Sequence, residues 1–290
     1  MTAPAMDEPS RAVGLLGDTA QRDYAHKLRL FSRFAEPELR AAIKELELRP
    51  DMRILDAGCG SGETLEWLAL EAGAGSLVVG IDLAAAHISA AHSTAVRATG
   101  PANITVLQAD LRRPPFVPGS FDLIWAINTI NHLRDPLAGL RELASLLRPG
   151  GRIAAGQSAL LAEMYFAWDA RLEQRTNEAV RRYYRDRYGL KEDDLAAVRS
   201  IVGLMREASL HDLSVNTRVI ERLAPLRAAD EAYLLEAIFR GTWGERLRPY
   251  LGSEDFEELS RLCDPGDRCY ALKRTDFHFL QTLTLVVGQL

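Results

Sequence analysis

The nine residues ILDAGCGSG at positions 54–62 constrain the fold more than any other stretch of the chain. Met52 to Ala57 is a short apolar run that suits a buried strand of a parallel sheet, and Asp56 falls where that strand would leave the sheet. Gly58, Gly60 and Gly62 follow at alternate positions, allowing positive φ angles and letting a ligand reach the backbone without meeting a Cβ. The helix expected from Gly62 to Ala72 would then begin with unpaired N–H groups, which favour an anionic ligand group such as a carboxylate or phosphate.

Dinucleotide-binding proteins place G-x-G-x-x-G in the same strand–turn–helix setting. Here the spacing is G-x-G-x-G, and Glu63 occupies the position where the dinucleotide fingerprint has its third glycine. With Asp56 leading in, the string resembles motif I of the class I S-adenosylmethionine-dependent methyltransferases, D-x-G-x-G-x-G, in every fixed position. The resemblance implies a doubly wound α/β fold with a mostly parallel seven-stranded sheet. It also implies S-adenosylmethionine as cofactor and S-adenosylhomocysteine as product, with Asp56, Gly58, Gly60 and Gly62 at the cofactor.

The next elements extend the pattern. SLVVGID at 76–82 is a second strand ending in an acid, and Asp82 is placed to accept from both ribose hydroxyls, a role shared with dinucleotide sites. Ala84 to Ala98 is an alanine-rich helix, and NITVLQA at 103–109 a third strand. In the family an acid after that strand commonly meets the adenine amino group. Asp110 holds that position, with Leu83 and Leu111 to sandwich the ring; a helix cap or turn is the alternative for Asp110. FDLIWAIN at 121–128 is a fourth strand whose end, near Asn128, would hold the cofactor's ammonium through main-chain carbonyls. His132 follows, either taking a proton from an acceptor hydroxyl or capping the next helix. A leucine-faced helix over 135–147, the RPGG turn and the strand GRIAAGQ complete five strands alternating with helices.

The remaining chain exceeds what a minimal methyltransferase needs. Residues 1–17 read as a mobile tail, 18–49 as helices over the cofactor site, 50–157 as the S-adenosylmethionine-binding core, and 158–290 as helical lid insertions plus two last strands at 210–223 and 277–290. Helices are expected over 159–188, 198–208 and 228–263. Tyr24, Tyr165 and Trp168 are candidate substrate contacts and Glu163 a second candidate base; ordinary helix packing explains the aromatic residues equally well. The RRYYRDRYG run at 181–189 suits an anionic substrate, single-stranded nucleic acid or a solvated helix face.

With 290 residues, 47% of them hydrophobic, the chain can bury a large core, and a formal charge of −5 argues against a broad cationic footprint for nucleic acid. The expectation is a cytoplasmic protein without membrane segments, using a small-molecule acceptor, with homodimerisation open. Three cysteines, Cys59, Cys263 and Cys269, do not make a disulfide framework, and no metal site is expected. The favoured reaction is methyl transfer to a small, largely apolar acceptor, oxygen before carbon or nitrogen, in specialised metabolism. The rivals are a non-catalytic S-adenosylmethionine-binding module and, ranked low, arsenic methylation through Cys263 and Cys269.

Overall fold

The computed structural model describes residues 25–98, 100–159, 163–164, 169–188 and 197–290. Five strands run parallel: β1 (Arg53–Ala57), β2 (Leu77–Asp82), β3 (Asn103–Gln108), β4 (Phe121–Ile127) and β5 (Leu147–Ser158), in the order β3-β2-β1-β4-β5. The sheet then continues with β8 (His278–Gln289), antiparallel to β5, and β7 (His211–Leu223), antiparallel to β8. Seven long strands therefore form a mixed, mostly parallel sheet. A two-residue strand, β6 (Glu163–Met164), pairs with Leu280 and Phe279 just beyond the stretch of β8 that β5 covers.

Burial follows position in the sheet. Ile54–Ala57 of β1, Val78–Ile81 of β2 and Phe121–Ala126 of β4 are buried without interruption, as helices on both faces require, whereas β3 at the edge alternates. Successive residues of β1 point to opposite faces: Ile54 joins one core with Leu65, Leu68, Phe34 and Ile43, and Leu55 joins the other with Leu140, Leu143, Ile201 and Met205. On the first face lie α1 (Ala25–Phe34), α2 (Glu36–Lys44), α3 (Glu63–Ala72) and α4 (Ala85–Arg97). On the second lie α5 (Pro136–Ser145) and α7 (Ala197–Glu207).

The C-terminal half departs from the sequence expectation in three places. The segment from Ala159 is not one helix: the β6 pair intervenes, Gln281 donates to the Ala159 carbonyl at 2.8 Å, and helix α6 begins only at Ala170 and runs to Tyr188. Helix α7 packs onto the sheet through Ile201 and Met205 rather than extending a lid. Residues 228–263 divide into α8 (Ala228–Tyr233), a π-helical turn at Leu234–Thr242 marked by Trp243 N–H donating five residues back to Ile238 at 2.8 Å, a 3-10 turn at Glu245–Tyr250 and α9 (Ser253–Cys263). Gly244 and Gly252, both extended, separate the last three.

An ionic cluster ties these elements over the strand ends. Arg222 of β7, with a side chain only 10% exposed, donates to Glu38 of α2 at 2.8 and 2.9 Å and to Asp230 of α8 at 3.0 Å, and lies 4.7 Å from the ring centroid of Phe34. Phe34 in turn stacks on Tyr233 with ring centroids 4.2 Å apart.

Candidate active site

The carboxyl ends of β1, β2 and β4 open into one cavity of about 490 Å³. Its floor is the glycine turn. Gly58, Gly60 and Gly62 have φ of +80°, +53° and +87°, and the Gly58 and Cys59 amides donate to Ile81 O at 2.8 and 2.9 Å, folding the turn against β2. A Cβ on Gly58 would lie 2.4 Å from Thr129 Oγ1, and one on Gly60 2.9 Å from Leu28 of α1, so the turn is closed in by side chains from two directions. Gly62 is packed against the Ala91 backbone and does not line the cavity.

Asp56 is 2% exposed and accepts a hydrogen bond of 2.5 Å from the Thr64 hydroxyl. Burial pushes its carboxyl up to about 7, against the lowering effect of Thr64, and the charge of Asp82 pushes the same way. Asp82 Oδ2 accepts from the Gly60 amide at 3.1 Å, while Oδ1 accepts from the Ala84 amide at 2.9 Å and faces His87 Nδ1 at 3.2 Å. The ring's other nitrogen, His87 Nε2, is buried and has no hydrogen-bond partner among the described residues. Nothing in the sequence drew attention to His87 or Thr64.

Asp110 and Leu111 line the cavity after β3. The Asp110 carboxylate accepts from Arg112 Nε at 2.9 Å and Nη2 at 2.6 Å, and this charge-assisted pair holds it below the usual carboxylate range. An incoming amino group would therefore meet a carboxylate already engaged by arginine. Asn128 adopts φ +53°, donates its amide to Gly156 O at 2.8 Å and accepts with Oδ1 from the Ser158 amide and hydroxyl at 2.7 and 3.0 Å. Its side-chain oxygen thus fastens β4 to β5.

His132 lies on a 3-10 turn, Ile130–His132, following β4, and its buried Nδ1 has no partner among the described residues. Burial pushes the imidazole down to about 4, opposed by the nearby Asp82 charge, so the ring is neutral at neutral pH. Above it the wall is built from Phe31 and Leu28 of α1, Tyr183 and Tyr184 of α6, Ala237, Gly241 and Thr242 of the π-helical turn, and Arg246. Asp56, Gly58, Gly60, Asp82, Leu83, Asp110, Leu111, Asn128 and His132 are thereby brought to one cavity. Glu163 is placed only by its main chain, in β6, and Tyr24, Tyr165 and Trp168 lie outside the described residues.

Cys263 and Cys269 do not line this cavity: burial pushes the Cys263 thiol up, and Cys269 Sγ accepts from Arg261 at 3.2 Å. The geometry gives arsenic chemistry no support. Among the described residues, no helix is long and apolar enough to cross a membrane.

Residues 54–151 match the methyltransferase-domain family. The 27-O-demethylrifamycin SV methyltransferase of Amycolatopsis mediterranei is 33% identical over 116 residues, 40% of this chain and 42% of that protein. The nocamycin O-methyltransferase of Saccharothrix syringae is 36% identical over 120 residues, 41% of this chain and 42% of that protein. The chain thus spans about two fifths of the length of these curated relatives. Among solved structures, the YcgJ protein of Bacillus subtilis shares the fold with a TM-score of 0.56 at 17% identity, covering 88% of this chain and 98% of that one. Phosphoethanolamine N-methyltransferase 2 of Haemonchus contortus does so with a TM-score of 0.52 at 17% identity, covering 93% and 59%. Residues 54–151 of this chain are thus a methyltransferase domain with the motif I of the class I S-adenosylmethionine-dependent type, set in a seven-stranded Rossmann-like methyltransferase fold.

Proposed function

We propose that this protein transfers a methyl group from S-adenosylmethionine to a small, largely apolar acceptor, with oxygen the favoured nucleophile. The observation that carries the reading is one cavity lined together by the glycine turn, three strand-end acids, Asp56, Asp82 and Asp110, the His132 imidazole and an aromatic wall. The donor set fits the cofactor: a bare main-chain cradle, an oriented carboxylate at Asp82 for a ribose, and an orphaned imidazole nitrogen at His87 beside it.

When bound, S-adenosylmethionine supplies an electrophilic methyl group with its own leaving group, so the chain needs to position rather than activate that group. In this reading Asp82 holds the ribose, Leu83 and Leu111 the adenine ring, and the main chain near Asn128 the ammonium. Phe31, Tyr184 and Trp125 exclude water from the acceptor, and Leu28 closes the turn from above. His132, neutral because it is buried, accepts a proton from the acceptor hydroxyl; its low basicity suits an acceptor acidified by conjugation better than a simple alcohol. Relatives named for rifamycin and nocamycin methylation favour acceptors of specialised metabolism.

The test is incubation with methyl-labelled S-adenosylmethionine and a panel of hydroxylated polyketide and isoprenoid acceptors, scoring S-adenosylhomocysteine and labelled product together. Product from a phenolic or enolic member is expected. Cofactor binding without product from any acceptor would favour a non-catalytic binding module.

A further inference from the structure

Among the described residues, the charges lining the cavity sort by the element that carries them. The lining carboxylates, Asp56, Glu63, Asp82 and Asp110, all belong to the glycine turn and the ends of β1, β2 and β3. The charged residues brought to the cavity from beyond those turns are Lys27 on α1, Arg134 after the His132 turn and Arg246, all cationic. Arg112 lies with the first group and is neutralised by Asp110.

Arg246 differs from the arginines around it. Arg248, on the same turn, pairs with Glu245 at 2.8 Å, and Arg181 and Arg185 of α6 have acids within 4.0 Å. Arg246 is half-buried, and among the described residues it has no carboxylate partner; its guanidinium carbon sits 5.2 Å from the ring centroid of Tyr183. Tyr183 is itself held edge-on by Tyr184 and Tyr250, with centroids 5.5 and 6.1 Å away. A guanidinium held over a ring face leaves its N–H donors unused, and their planar fork matches a carboxylate in bidentate geometry. The same cavity offers the aromatic side chains of Phe31, Trp125 and Tyr184, which suit a flat conjugated body.

We propose that the acceptor is a planar, conjugated molecule bearing a carboxylate, and that Arg246 on its Tyr183 platform is the residue that reads it. The assignment deepens the methyltransferase reading and rests on it. Cationic side chains from α1, the His132 turn and the Arg246 turn then favour an anionic acceptor, while the acids of the glycine turn and strand ends favour the cationic cofactor.

The test uses the full chain saturated with S-adenosylhomocysteine, titrated with matched pairs of aryl carboxylates and their carboxamides built on benzene, naphthalene and anthraquinone. Carboxylates of at least one ring size are expected to bind about tenfold or more tightly than their amides. Arg246→Gln should erase that preference while leaving amide binding within about twofold, Arg246→Lys should keep part of it, and Arg248→Gln should change nothing. Equal binding of acid and amide, failure of every carboxylate to bind, or equal loss of both in Arg246→Gln would overturn the proposal. S-adenosylhomocysteine binding is measured first on each variant. Its failure in the unmodified chain would instead overturn the methyltransferase reading.

Discussion

His87 Nδ1 lies 3.2 Å from Asp82 Oδ1, so the carboxylate at the end of β2 is oriented by a buried imidazole as well as by the Gly60 and Ala84 amides. Replacement by a residue of similar bulk without a donor isolates that role. His87→Phe is expected to fold and to weaken S-adenosylmethionine binding by about tenfold, the worth of one hydrogen bond to a charged group. Calorimetric titration measures it; an unchanged affinity would show that the two amides alone orient Asp82.

Gly62 and Gly119 both have positive φ, +87° and +74°, but only one is crowded. A Cβ on Gly119 meets nothing within 4 Å, whereas one on Gly62 would lie 2.8 Å from Ala91 Cα, main chain that cannot swing aside. Gly119→Ala should therefore cost only the left-handed penalty of about 1 kcal/mol. Gly62→Ala should cost several-fold more and displace α4 from the turn, which denaturant unfolding of the two variants would reveal. Equal losses would mean that conformation alone, and not packing against α4, demands Gly62.

Burial raises Asp56 from 3.8 to about 7. A folded-state value above the unfolded one means that the folded chain binds the proton more tightly, so this group's contribution is fully present below about pH 4 and lost as pH rises through 7. Asp56→Asn, which keeps an acceptor for Thr64, should therefore gain stability over the parent as pH rises. The difference should approach about 4 kcal/mol near pH 8 as an upper bound. His132, lowered to about 4, works in the opposite sense, losing stability as pH falls from 6.5, so the comparison must be the difference between the two proteins rather than either curve alone. Parallel curves would contradict the burial of an ionisable Asp56.

Removing Arg222 leaves Glu38 without its buried partner, whereas Asp230 keeps Arg227 at 2.7 and 2.8 Å. Arg222→Met is expected to destabilise the chain by about 3 kcal/mol, and adding Glu38→Gln should restore part of the loss because the stranded charge is gone. Urea unfolding of the two single variants and the double variant completes the cycle. Strict additivity would mean that Arg222 and Glu38 do not act as a pair.

The glycine turn and the acids that line the cavity with it were legible because their information is local. Strand, glycine turn and helix lie within ILDAGCGSGE, and the acids at 56, 82 and 110 each follow directly on an apolar run. The last two strands were legible from alternation and position, and their antiparallel pairing from the family resemblance. What was not legible depends on contacts between distant segments. His87 is one histidine in an alanine-rich helix until Asp82 is seen beside it, and Arg246 and Tyr183 are 63 positions apart in a region rich in both residue types. The π-helical turn and β6 arise from packing against α1 and from the uncovered stretch of β8, which no local periodicity encodes. The division of the arginine–tyrosine run is of the same kind: Tyr183 and Tyr184 reach the cavity, while Arg181 sits beside Glu178.

The most direct test of the central claim is calorimetric titration of freshly dialysed protein with S-adenosylmethionine and, separately, NADH, with Asp82→Ala alongside. The account predicts saturable binding of S-adenosylmethionine, weakened at least about tenfold by the substitution, and none of NADH. No binding of S-adenosylmethionine to protein shown to carry no retained cofactor, or binding of NADH in its place, would contradict it.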